Sequence, residues 1–348
     1  MTAINVASLN RVAEQYQKDF ILLPYALLIP TLQALGINML EVTNRDIVIV
    51  KERRGGLARP YAVGGTNTTV EAEISRLKER VLQIEMSFSS IKDNILNYNS
   101  KQLLYDAAKD KVNNQTKTHP YERDIIADQV ITIAEDIIDA LFHAERDPAD
   151  LTPMGMADGF NTLLDALIVS GDIAEVKGNL VNCGSLAAPA TDSDTTAYKS
   201  LKAWLRAVDP KLRTKPIDLH ITPTYLLNVK DALENKKTSF KDVTFDMVQQ
   251  YLREDCMLPN LRIISHYCQG TGNRLILTTP GNLDLGMNTF SDVGFVQVRA
   301  PYEDPNFIQF WMQWQMGMRV KNLHKRGLMI SDGTATANEL SGDYNVSE

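Results

Sequence analysis

The stretch 119–148, HPYERDIIADQVITIAEDIIDALFHAERDP, carries Ile126, Val130, Ile133, Ile137 and Leu141 at spacings of four, three, four and four residues. Only a helix of about 3.6 residues per turn puts such a series on one side, so the spacing predicts a long helix over 120–147 with these five side chains as its core stripe. Ile125, Ile138 and Phe142 widen the stripe, while Asp128, Glu135, Asp139 and His143 lie largely off it, as on a helix packed one-sidedly against a domain. Pro120 has no N–H to leave unsatisfied at a first helical position, Glu122 favours the positive end of the helix dipole, and Pro148 closes the run. At about 1.5 Å per residue the helix is on the order of 40 Å long, enough to brace a domain. Periodicity alone equally describes an ordinary core helix.

Ahead of it, residues 5–20 can form one amphipathic helix, after which Pro24, Pro30 and Gly36 are expected to break the chain into short pieces with exposed apolar surface. Two readings stand: an arm that packs on something else, or a helix docked on its own domain. The segments DIVIV (46–50) and VLQIEMSF (81–88) read as strands, by β-branched content and by alternation. Between them KERRGGLARPYAVGGTN offers almost nothing to bury, so it should project as an extended hairpin or loop with Lys51, Arg53, Arg54 and Arg59 at its tip.

After the long helix, 160–169 and 173–181 are short apolar segments, and the polar AAPATDSDTT (187–196) marks the way into a second lobe. There 198–208 reads as a helix, IDLHI (217–221) as a buried strand, and 223–233 as a helix capped by Thr222 with Pro223 first. Short strands follow at 261–265, 274–278, 283–287 and 294–298, and the Gly270–Gly272 turn is expected to join 262–267 to 274–278 as a hairpin. FIQFWMQWQMGMRVKNLHKRGLMI (307–330) reads as long paired strands returning to the first lobe, with Phe310, Met312 and Trp314 on one pleat face. From Ser331 onward no apolar periodicity remains, which predicts a mobile tail.

With 44% hydrophobic and 23% charged residues the chain is of ordinary globular composition, and a net charge of −7 argues against a dedicated nucleic-acid binder. Cys183, Cys256 and Cys268 make no zinc or redox spacing, so reduced thiols in the cytosol are the expectation. FILLPYALLI (20–29) is too short for a membrane span and follows no basic leader, so no membrane contact is expected and the N-terminus is read as native. No Walker loop, HExxH, GxSxG or dinucleotide fingerprint occurs; no catalytic residue, metal ligand or cofactor is assigned. His220, inside a strand pattern, is read as a satisfied core histidine rather than a base.

The order of these parts resembles the major capsid protein of tailed double-stranded DNA bacteriophages, the α+β fold named after the Hong Kong phage. The resemblance is carried by the helix at 120–146, the loop at 46–88 with its basic tip, IDLHITPTYLLNVKDAL (217–233), LPNLRIISHYCQGTGNRLILTTPGNLDLGMN (258–288) and RVKNLHKRGLMI (319–330), and it covers residues 1–330. It implies an N-terminal arm at 1–45, an extended β-hairpin loop at 46–92, and a peripheral domain at 93–181 with its spine helix at 120–147. It further implies an axial domain at 182–303, return strands of the peripheral domain at 304–330, and a flexible tail at 331–348. A scaffolding segment ahead of the arm, present in some members, finds no room here, so a separate scaffold is expected.

The function implied is structural: copies self-assemble as hexamers and pentamers into an icosahedral shell around packaged DNA, which an acidic chain contacts weakly. Separate scaffolding, portal and decoration or head–tail proteins are the expected partners, and the virion capsid the expected location, with assembly in the host cytoplasm. An encapsulin-type compartment, and an enzyme with a noncontiguous active site, are the alternatives.

Overall fold

A computed structural model of the chain describes residues 6–51, 77–94, 101, 121–236, 243–266, 274–288, 296–299 and 307–332. The long helix is there as α3 (Tyr121–His143), with α1 (Val6–Gln15), α2 (Gln17–Ala34) and α4 (Phe160–Val169) packed around it. Ile126, Val130, Ile133, Ile137 and Leu141 are all buried in its inner stripe. The helix stops at His143, short of Pro148, because the amides that would continue it bond elsewhere, Glu145 to the Met154 carbonyl at 2.9 Å and Arg146 to Asp158 Oδ1 at 3.0 Å. The Ala144 carbonyl accepts the Gly159 amide at 2.7 Å and the Thr162 hydroxyl at 2.8 Å as the chain turns into α4. Pro120 lies outside the described residues.

The N-terminal expectation is corrected: α2 runs unbroken through Pro24 and Pro30. Each proline removes one backbone bond to the preceding turn, at a cost of up to about 3 kcal/mol. Burial of Phe20, Leu28 and Leu32 in the same core as α3 offsets that loss. The segment therefore docks on its own domain, and Arg123 of α3 fastens it through the Tyr16 ring at 5.0 Å and Asp19 at 3.3 Å.

These helices cover one face of a five-stranded sheet ordered β1 (Asn38–Glu41), β8 (Leu283–Met287), β10 (Phe307–Val320), β4 (Glu85–Asn94), with β9 (Val296–Arg299) also paired to β10. Ile308, Phe310, Met312, Trp314 and Met316 of β10 point into the helices. On the other face Gln309, Trp311, Gln313 and Gln315 are half-buried, and their β4 neighbours Met86 and Phe88 are exposed.

The second sheet is ordered β11 (Leu328–Ser331), β7 (Leu275–Thr278), β5 (Ile217–Ile221), β6 (Leu261–Ser265). It lies between two cores. Leu275, Leu277, Leu219 and Met329 face a second core built with α5 (Thr196–Arg206), α6 (Pro210–Arg213), α7 (Pro223–Lys236) and α8 (Phe245–Cys256). Ile276, Leu328 and Ile330 face the first.

This topology changes three assignments. The hairpin expected between β6 and β7 does not form, because β5 inserts between them, parallel to β6 and antiparallel to β7. The 182–303 segment does not stay in one lobe: β8 and β9 join the first sheet, while β11, expected to return to it, pairs with β7 in the second. The tail begins later than Ser331, which is fully buried and accepts the Cys183 amide at 2.8 Å on its hydroxyl. Asp332 in turn pairs with Arg274.

Candidate assembly hairpin

Strands β2 (Arg45–Lys51) and β3 (Leu77–Gln83) form a two-stranded antiparallel ribbon separate from both sheets, in register from Arg45 opposite Gln83 to Lys51 opposite Leu77. Its β-branched sequence suits an extended backbone. The pleat sends Asp46, Val48, Arg80 and Leu82 to one face and Ile47, Ile49 and Val81 to the other, where they are 45%, 56% and 37% exposed. A row of exposed β-branched side chains on an open two-stranded ribbon is surface that nothing in the subunit's described residues covers. Lys51 sits at the distal end of the ribbon; Arg53, Arg54 and Arg59 lie outside the described residues.

The root of the ribbon is built around Arg319 of β10, a residue the sequence reading passed over. Its guanidinium is 2% exposed and reaches Asp284 Oδ2 at 2.8 Å through Nη2 and 3.2 Å through Nε. Asp284, directly opposite on β8, is fully buried and also receives Lys321 at 2.8 Å and the Asn38 amide at 3.2 Å. From this buried cluster Arg319 reaches up into the ribbon: Nη2 to the Asp46 carboxylate at 2.9 Å, and Nη1 to the carbonyls of Asp46 and Arg80 at 3.3 and 3.4 Å. The fully buried pair Arg319–Asp284 is itself neutral, which is what makes its burial tolerable, while Lys321 and Asp46 at its rim are 28% and 43% exposed to water. On the other strand Arg80 pairs with Asp172, just beyond α4, at 3.0 Å.

Between these ion pairs the ribbon rests on two glycines. Gly286 and Gly317 are cross-strand partners in the β8–β10 ladder. A Cβ on Gly286 would come within 2.6 Å of Leu82, and one on Gly317 would collide with the Gln83 carbonyl. Leu82 and Ile84 fill that depression with Val42, a small core of their own.

Elsewhere polar groups tie the elements together. Lys202 and the Tyr198 hydroxyl, both donating to Asp255 at 2.7 Å, hold its carboxyl down to about 2 and tie α5 to α8. Burial pushes the Cys183 thiol up to about 12 and that of Cys256 to about 11, so neither is a ready thiolate; Cys268 lies outside the described residues. His220 departs from the satisfied histidine expected of it: Nδ1 meets His266, but Nε2 is buried with no hydrogen-bond partner among the described residues. Among the described residues no cluster of three or more His, Cys, Asp or Glu is placed to hold a metal, and no helix is long and apolar enough to cross a membrane.

No protein-family model matches the chain, and none of the curated proteins matches it by sequence. Solved structures do. A chain of the satellite phage P4 procapsid, which includes the size determination (Sid) protein, aligns with TM-score 0.51 and 12% identity over 89% of this chain and 98% of its own. The virus-like particle from Pyrococcus furiosus aligns with TM-score 0.47 and 13% identity, over 91% of this chain and 99% of that one. The capsid of an empty GTA particle aligns with TM-score 0.48 and 13% identity, over 87% and 89%. At such identities a shared fold is what is shown: the α+β capsid fold of Hong Kong phage type.

Proposed function

From that shared fold we propose that this chain is the repeating structural subunit of a phage-type capsid shell. The observation that carries the reading is the near end-to-end alignment with the P4 procapsid chain, 98% of which is matched. The subunit's surface supports it. The ribbon displays Ile47, Ile49 and Val81, and the sheet face bearing Met86, Phe88 and Trp311 is left without a covering layer among the described residues. Head-to-tail contacts between unlike surfaces close into rings when the rotation permits, and rings with projecting hairpins build shells.

In this reading hexamers and pentamers form an icosahedral shell around packaged double-stranded DNA, assembled in the host cytoplasm with separate scaffolding, portal and decoration or head–tail proteins. A net charge of −7 suits a wall that confines DNA without gripping it. Of the extended loop expected at 46–92, β4 (Glu85–Asn94) is instead a strand of the first sheet, so β2, β3 and the segment between them serve as that loop, with Lys51, Arg53, Arg54 and Arg59 touching a neighbouring subunit, and α3 serves as the spine. The subunit has no catalytic task. Size-exclusion chromatography with negative-stain microscopy of the purified chain tests this directly. Rings or closed shells are expected, with nuclease-protected DNA in particles from phage-infected cells. Shells that hold a protein cargo instead would favour an encapsulin-type compartment, and a monomer at every concentration would overturn the reading.

A further inference from the structure

In both ion pairs that hold the ribbon, the body-side partner keeps a second partner of its own. Without Asp46, Arg319 still has Asp284 at 2.8 Å. Without Arg80, Asp172 still has Lys177 at 3.6 Å. On the ribbon side Asp46 is already 43% exposed and meets water when it lets go. Breaking a buried pair is costly chiefly because it strands a charge, and here release strands none on the body. The contact beneath is of the other kind: Leu82, fully buried over Gly286, has no alternative place to go.

We propose that Asp46 and Arg80 are positioning residues, two stays on opposite strands that set the direction in which the hairpin leaves the body and that release while the Leu82 contact holds as a pivot. The stays differ in sign and in anchor. Asp46 is drawn toward β10 and Arg80 toward the loop after α4, so together they fix the ribbon's tilt as well as its height. The consequence for assembly rests on the shell reading: a hairpin whose direction is set by two releasable pairs meets neighbours at more than one angle, as the differing local curvature of five- and six-fold rings demands.

The test is the double variant Asp46→Asn with Arg80→Gln in the full chain, first below its assembly concentration. Amides of β2 and β3 are expected to exchange hydrogen about tenfold faster, with those of α3 and β5 unchanged and the melting temperature held within a degree or two. Unchanged exchange in the ribbon overturns the proposal. So does faster exchange throughout with a lowered melting temperature, because the pairs are then ordinary stabilisers of the fold. Asp46→Glu, which keeps the charge, should restore most of the protection. Under assembly conditions the double variant is expected to give particles of broadened diameter, and a population as uniform as the wild type overturns the orienting role. If the wild type forms no particles, the shell reading fails while the exchange measurement still decides the stays.

Discussion

His220 Nδ1 lies 3.2 Å from His266 Nε2, and the Phe142 ring packs on both, 5.9 Å from the first and 4.6 Å from the second by ring centroid. Strand β5, the end of β6 and the last turn of α3 meet there, so the contact joins the two lobes. Burial, with His266 and Arg262 adding repulsion, pushes His220 down to about 3; burial, with His143 adding repulsion, pushes His266 to about 4. Both rings are therefore neutral in the fold and have an ordinary value near 6.5 when unfolded. Above about 6.5 neither state binds the protons and the full stability is present. As pH falls below that, the unfolded chain binds them first and stability drops toward pH 4, by several kcal/mol at the limit. Urea midpoints should fall between pH 7.5 and 5.0 for the wild type and about half as much for His266→Gln, which leaves His220 buried. Equal slopes for the two proteins would mean that other groups govern the acid limb.

Gly286→Ala and Gly317→Ala should lift the ribbon from the sheet. The first meets the movable end of Leu82, for a loss of about 1–2 kcal/mol; the second meets backbone at Gln83 and should cost more. Denaturation midpoints give the ranking, and a Gly317→Ala protein as stable as wild type would show that the strands can separate freely there.

Ile133 is 2% exposed within the first core. Ile133→Asp buries a charge with no partner and should cost about 4 kcal/mol or more, enough to leave most of the chain insoluble on expression. The Ile133→Val protein, which removes one methylene, should lose about 1 kcal/mol and stay soluble. Soluble yield and melting temperature of the pair measure how firmly α3 is seated.

A chain ending at Asp332 should melt like the full-length protein. One ending at Ile330 loses the Ser331 hydroxyl that accepts the Cys183 amide and the Asp332 carboxylate beside Arg274. About 2 kcal/mol of destabilisation is expected, a drop of several degrees in melting temperature.

The parts that sequence made legible are those whose signal is local. The α3 stripe repeats at helical spacing, and β2 is a β-branched run, so both could be placed from residues alone. Helix α8 carries the same kind of local signal, with Thr244 as its cap and Val248, Leu252 and Cys256 on one side, though no element is expected there between the helix at 223–233 and the strand at 261–265. Strand order is different: the insertion of β5 between β6 and β7, and the crossing of β8 into the first sheet, depend on pairings between distant residues that no short window contains. The hairpin root is the extreme case. Arg319 and Asp284 each stand as one charge in an apolar strand, readable as exposed edge positions, and only their opposition across the β8–β10 ladder reveals a buried pair. Gly286 and Gly317 likewise read as weak points of strands until the ribbon is seen lying over them.

The basic tip extends this logic outward. From the root, where Arg45 faces Gln83, to Lys51 facing Leu77, the ribbon runs six residues, about 20 Å at 3.3 Å per residue. That is twice the screening length of about 10 Å in 0.1 M salt, so the carboxylates at the root do little at the far end of the ribbon, and in the sequence Lys51, Arg53, Arg54 and Arg59 have only Glu52 among them. Exposed charges cost little, and a solvated tip would contribute nothing to assembly. On the proposed shell reading, a neighbouring copy, drawn from a chain with 43 acidic and 36 basic residues, offers on average a negative surface, and a contact of about 1 kcal/mol repeated at every subunit would decide whether a shell closes. Replacing Arg53, Arg54 and Arg59 with Glu should leave circular dichroism and melting unchanged while suppressing shells, and wild-type shells should weaken as salt is raised. Normal shells from the triple variant, with the salt tolerance of the wild type, would assign the tip to solvent and leave Ile47, Ile49 and Val81 as the hairpin's contribution to the contact.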